Sequence, residues 1–201
     1  MKAIHVMMLA LLMATASWAQ GLKVGDAAVD FNLKNVDGKM VALKDFQSSK
    51  GVIVVFTCNT CPYSQAYEQR IIDLHKTFAS KGYPVVAINP NDPVKQPGDS
   101  FDKMVERAKD KAYPFAYLFD ETQAIATAYG ATRTPHVFVL QRTSSGFQVA
   151  YIGAIDDNVE TPSAAKNRYV EAAIESLAQG KTPGVTSTKA IGCTIKWKKA
   201  S

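Results

Sequence analysis

A chain of 201 residues that is 47% hydrophobic and 20% charged has the composition of an ordinary globular protein, which excludes collagen-like, coiled-coil and disordered classes. A chain this long buries roughly 70% of the surface its unfolded form exposes, so it does not need a disulfide framework, and its three cysteines call for another reason. The net charge of +5 is modest and its basic residues are scattered, except for Lys196, Lys198 and Lys199, which read as a solvated, flexible end. With no aromatic interleaving and no zinc-finger spacing, nucleic acid is not an expected partner.

Residues 1–19 read as a secretory signal: Lys2, an apolar stretch from Val6 to Ala16, then Ser17 and Ala19 around Trp18, with cleavage after Ala19. The run is shorter than the roughly 20 apolar residues of a membrane span, and the rest of the chain has none, so the expected mature protein is exported, periplasmic or secreted. Such a compartment permits disulfide chemistry. Residues 20–180 are expected to form one domain and residues 181–201 an irregular tail.

Strands and helices alternate, the pattern of an α/β domain. Met40–Leu43 follows a turn at Val36–Lys39, and Gly51–Thr57 holds the continuous apolar run Val52–Phe56 of a strand buried on both faces. Over residues 64–80, Tyr67, Ile71, Leu74 and Phe78 form one helical stripe, and Gly82 stops it. Val85–Asn89 is a strand, Asn89–Ser100 a loop, Phe101–Ala112 a helix, Phe115–Phe119 a strand and Thr122–Tyr129 a short helix before Gly130. Val137–Leu140 and Gln148–Ile155 are strands joined by a turn at Thr143–Gly146, and Ser163–Ala178 is the last helix.

The chemistry is expected between the buried strand and the helix, in Cys58-Asn59-Thr60-Cys61-Pro62-Tyr63-Ser64. Cys61 falls at the helix N-cap and Pro62 at the first helical position, where its missing N–H costs little. A thiol facing free backbone N–H groups and the positive end of the helix dipole is favoured as thiolate, so Cys61 reads as a nucleophile. Cys58, three residues earlier, is close enough in sequence to bridge to it.

These residues resemble the thioredoxin superfamily, in its redoxin or peroxiredoxin-like (AhpC/TSA-like) branch. Gly25-Asp26-Ala27, Asp30-Phe31, Asp37-Gly38-Lys39 and Leu43–Phe46 are similar to that branch's N-terminal hairpin, and residues 52–64 to its active-site strand and loop. Asn89-Pro90-Asn91-Asp92, Ile155–Asn158 and Gly192–Trp197 resemble a subgroup of redoxin-domain proteins. The resemblance implies a thioredoxin-like fold with a central mixed sheet, and a cis-proline at Pro135. It also implies that Thr134 and Pro135 present a disulfide substrate to Cys61, supported at the helix start by Pro62, Tyr63 and Ser64.

Aligned on Phe56, Cys61 takes the attacking position and Ser64 the second-cysteine position, similar to a monothiol site. Val55 replaces the buried acid of thioredoxin. The peroxide-site pattern Pro-x-x-x-Thr-x-x-Cys departs at Thr57, Cys61 and Ser64, which argues against peroxidase chemistry. Resolution then falls to Cys58, favoured because its loop is short, or to Cys193, brought in by the tail. The implied function is cofactor-free thiol–disulfide exchange with protein or small-molecule disulfides, with a membrane electron donor if the protein acts as a reductant. Two alternatives are a copper or zinc carrier using Cys58, Cys61 and His136, and a peroxidase-like antioxidant protein.

Overall fold

The computed structural model describes residues 21–199, so the signal-peptide reading and the last two residues lie outside the described residues. The chain runs β1 (Asn32–Asn35), β2 (Met40–Ala42), β3 (Gly51–Phe56), α1 (Pro62–Phe78), β4 (Val85–Asn89), α2 (Phe101–Asp110), β5 (Ala116–Phe119) and α3 (Ala124–Tyr129). There follow β6 (Arg133–Thr134), β7 (His136–Thr143), β8 (Gly146–Gly153), α4 (Tyr169–Ala178) and β9 (Cys193–Thr194). Seven strands make one mixed sheet in the order β2-β1-β5-β4-β3-β7-β8. The neighbours β3/β4 and β4/β5 are parallel and the other pairs antiparallel.

The run Val52–Phe56 behaves as an all-apolar strand must: it lies near the middle of the sheet, wholly buried, with alternate residues feeding opposite faces. Ile53 and Val55 pack against the α1 stripe Tyr67, Ile71, Leu74 and Phe78 and against Val170, Ala173 and Ile174 of α4. Val52, Val54 and Phe56 pack on the other side with Ala126 and Tyr129 of α3 and with Ile195 of the tail. Burial of each large side chain here contributes about 1.5–3 kcal/mol, so the β3–α1 junction that carries Cys58 and Cys61 is anchored from both faces. A 3-10 turn (Ala79–Lys81) follows α1, and Gly82, at φ 94°, lets the chain reverse into β4.

Two expectations need correction. The last helix begins at Tyr169, not Ser163: Pro162–Ala164 forms a separate 3-10 turn, and the Asp157 carboxylate accepts hydrogen bonds from the Lys166 and Asn167 backbone N–H groups, holding that stretch as a loop. The tail is mostly irregular, but its lysines do not mark a loose end. Residues 193–194 pair with β6, Ile195 is buried, and Trp197 packs against the core. The tail backbone is held by Asn91, Asp92 and Gln123: Lys196 N–H donates to Asn91 Oδ1 at 2.9 Å, and Asp92 N–H donates to the Lys196 carbonyl at 2.9 Å. Lys198 N–H donates to Gln123 Oε1 at 2.7 Å.

Candidate active site

Cys61 caps α1 in an extended conformation (φ −70°, ψ 124°) with Pro62 directly after it, so its sulfur sits at the end of the helix where backbone N–H groups are unpaired. The side chain does not cap the helix itself. Its Sγ lies 3.1 Å from the carbonyl oxygen of Thr134, across a Thr134–Pro135 peptide bond that is cis. Cys61 is buried, Ser64 is buried one turn along, and Pro62 and Tyr63 are exposed at the rim.

Cys61 is disulfide-bonded to Cys193, 132 positions further along the chain, with the two Cα atoms 6.0 Å apart. The pairing of β6 with β9 makes this possible: Thr134 is opposite Cys193 and Arg133 opposite Thr194, so the strand that presents the Thr134 carbonyl to Cys61 also holds in place the strand bearing the second sulfur. The Arg133 guanidinium donates to the Gly192 carbonyl at 2.8 Å and fixes the approach.

Cys58, the expected partner, is instead the free thiol and is buried. It leaves β3 before the helix begins, so its side chain lies beneath the loop, with Sγ 3.2 Å from Thr134 Oγ1 and donating to Ser64 Oγ at 3.8 Å. Burial pushes its pKa up, and the nearby charge of Asp99 adds to the rise. Hydrogen bonding with Thr134, the Cys61 backbone and Ser64 opposes it. That environment favours a protonated thiol.

His136 does not join the cysteines. It stands one residue past Pro135, its Nδ1 accepts from Thr132 N–H at 3.4 Å, and its ring packs on Phe138 with centroids 4.9 Å apart. Burial, with the charge of Arg133, lowers its pKa to about 4. Among the described residues no group of three or more His, Cys, Asp or Glu is placed to hold a metal ion, so the alternative set Cys58, Cys61 and His136 is not assembled.

Residues that sequence reading passed over hold the loop. Asp99, fully buried, accepts from Asn59 N–H at 2.7 Å, Thr60 N–H at 3.2 Å and Thr60 Oγ1–H at 2.8 Å. The carboxamide of Gln65 donates to the Asn59 carbonyl at 2.8 Å from the first turn of α1. In sequence, Asn89–Ser100 reads as a loop and Asp99 as a candidate N-cap of the following helix, but the cap is Ser100 and the Asp99 carboxylate turns inward to the Cys61 loop.

The AhpC/TSA family profile matches residues 24–145. The chain belongs to the AhpC/TSA family. Among solved structures, an uncharacterized conserved protein from Geobacillus kaustophilus is 34% identical, with 89% of this chain and 94% of that one covered at a TM-score of 0.83. A hypothetical protein from Sinorhizobium meliloti is 32% identical over 90% of this chain and 98% of its own, with a TM-score of 0.81. A thiol:disulfide interchange protein of the thioredoxin family from Chlorobium tepidum shares the fold at 21% identity and a TM-score of 0.53, over 66% of this chain and 87% of its own. No curated protein matches the chain. The AhpC/TSA fold here is thioredoxin-like, a mixed seven-stranded sheet flanked by helices with Cys61 at the start of α1. Among the described residues no helix is long and apolar enough to cross a membrane.

Proposed function

We propose that this AhpC/TSA-family chain is an exported thiol–disulfide oxidoreductase in which Cys61 attacks and Cys193 resolves. The observation that carries the reading is the Cys61–Cys193 bridge, built at a helix N-terminus beside the Thr134 carbonyl. In the reduced protein the Cys61 thiolate attacks one sulfur of a substrate disulfide. A Cys61–substrate bond forms, the substrate's own S–S bond breaks, and the departing thiolate takes a proton from water. Cys193, its proton lost to solvent, then attacks Cys61 Sγ and expels the second substrate thiolate. The substrate gains two electrons and the protein keeps the bridge.

Because β9 lies along β6, Cys193 reaches Cys61 only by occupying the edge beside Thr134. A substrate segment docked on that edge is displaced as β9 zips on, so resolution and release become one event. The reverse direction follows from exposure. Cys193 is half-buried whereas Cys61 is only 4% exposed, so an incoming thiolate meets the Cys193 sulfur first. Cys61 then leaves as a thiolate at the positive end of the helix dipole, which favours it as the leaving group. Substrates on this reading are protein or small-molecule disulfides, with a membrane electron donor when the protein works as a reductant. Ser64 supplies a buried hydroxyl where a peroxide-attacking sulfur would be needed, which favours exchange over peroxide reduction.

Exchange with insulin or glutathione disulfide tests the reading. Cys61→Ser should abolish it, Cys193→Ser should accumulate mixed disulfides on Cys61, and Cys58→Ser should keep the cycle running. Full exchange in Cys61→Ser overturns it.

A further inference from the structure

The Asn89-Pro90-Asn91-Asp92 segment stands at the end of β4, beside the redox couple and without a role in the exchange just described. Within it Asn91 is 4% exposed and uses both ends of its carboxamide. Nδ2 donates to Asp99 Oδ2 at 2.7 Å, and that carboxylate holds the N–H groups of Asn59 and Thr60, the two residues before Cys61. Oδ1 accepts from Lys196 N–H at 2.9 Å, three residues past Cys193. The side chain itself is aimed by its own backbone N–H, which donates to Asn89 Oδ1 at 3.1 Å. One buried amide thus touches the support of the attacking loop and the backbone of the resolving segment.

From this geometry, and resting on the Cys61/Cys193 exchange reading above, we propose that Asn91 is the positioning residue of the couple: it keeps the Cys193 segment in register with the Cys61 loop and so sets how readily the bridge closes. An aspartate could still accept from Lys196 but would turn an oxygen toward Asp99, and an alanine would lose both bonds. The neighbouring Asp92 N–H, bonded to the Lys196 carbonyl at 2.9 Å, holds the tail but has no link to the loop, so no other single side chain in this segment can couple the two. Asp99, whose charge adds to the rise that burial gives the Cys58 pKa, is also the group through which Asn91 steadies the Cys61 loop.

The test uses the full-length protein in two measurements. One is the equilibrium between open and bridged Cys61/Cys193 in glutathione buffers, read by acid quench, alkylation and mass spectrometry. The other is the rate of iodoacetamide alkylation of Cys61 in the reduced protein. Asn91→Ala should lower the closure constant at least about tenfold, a rise of about 30 mV in the two-electron potential, and should also change the Cys61 alkylation rate. Asn91→Asp should change the alkylation rate while disturbing closure less. If Asn91→Ala does not fold, Asn91→Asp decides by the alkylation rate. Wild-type exchange with both variants unchanged in both measurements overturns the proposal, as does a fall in thermal stability with the potential unmoved. A wild-type bridge that does not exchange with glutathione overturns the oxidoreductase reading instead.

Discussion

Replacing Gly192 by alanine should open the Cys61–Cys193 bridge without harming the domain. A Cβ added at Gly192 would run into the carbonyl group of Thr134 and come within 2.9 Å of Pro135 N, backbone atoms that cannot swing aside as a side chain could. Gly192 is not in the left-handed region, so the need for glycine here is space alone. The carbonyl it would strike is the one 3.1 Å from Cys61 Sγ, so β9 must lift off β6 at the point where the two sulfurs meet. Overpacking of this kind costs about 1–3 kcal/mol, and the reduced protein can relieve it by shifting residues 192–194, which the S–S bond no longer holds, while Ile195 and Lys196 keep the rest of the tail docked. The whole penalty therefore falls on the bridged state, lowering the closure constant about 5- to 140-fold at 1.4 kcal/mol per factor of ten. The two-electron potential should rise by about 20–65 mV, making the bridge the stronger oxidant. Glutathione redox titration measures this directly. Gly184→Ala is the control, since an added Cβ there meets nothing within 4 Å. A Gly192→Ala potential equal to those of the wild type and Gly184→Ala would refute the argument that β9 must lie on β6 for the bridge to close.

Two further outcomes follow from the buried titratable groups. Cys58, whose pKa is raised by burial and by Asp99, should resist iodoacetamide in the native oxidised protein near neutral pH and react only as pH passes above the ordinary thiol range. Labelling there at the rate of a free thiol would contradict its placement beneath the loop. Since the folded state favours the protonated thiol, this contribution to stability is full below the unfolded pKa and fades as pH rises toward the folded one. For His136 the sign is opposite. Its pKa is lowered from 6.5 to about 4, so the fold favours the neutral ring and the contribution is full above pH 6.5. It is lost as pH falls toward 4, by about 3 kcal/mol at most. Denaturant unfolding across that range should show an acid limb that His136→Asn flattens, and an unchanged limb would remove His136 as its source.

The parts of this molecule that could be read from the chain are those where local pattern and burial coincide. Val52–Phe56 could only be a strand covered on both faces, and Val85–Asn89 was found at the expected bounds. Tyr67, Ile71, Leu74 and Phe78 share one face of a helix whose start is marked by Pro62, which fixed Cys61 as its cap. The misread parts depend on polar side chains reaching across the fold. Asp157 withholds Lys166 and Asn167 from the last helix. Gln123 adopts a left-handed backbone (φ 62°) uncommon for a residue with a side chain, and its carboxamide bonds Pro90, Lys196 and Lys198. No periodicity betrays such residues, and a two-residue strand such as β9 has too short a pattern to be seen.

The pairing of the sulfurs shows why sequence distance misleads. In an unfolded chain, closing a loop of 132 residues rather than one of three costs about 3 kcal/mol more by the logarithmic loop law, which favours Cys58 as the partner of Cys61. That reasoning applies before folding. Once Ile195 is buried against the sheet and Lys196 and Lys198 are bonded to Asn91, Asp92 and Gln123, the ends of the long loop are already together, and this closure term no longer separates the two candidates. Environment then decides. Cys58 sits below the loop with its thiol engaged by Thr134 and Ser64 and its thiolate disfavoured, whereas Cys193 arrives opposite Thr134 on the side where Cys61 presents its sulfur. A cysteine near in sequence but engaged by Thr134 and Ser64 and held as the thiol thus loses to a distant one delivered by a docked strand. On the exchange reading proposed above, the resolving power of this site resides in whatever holds the tail.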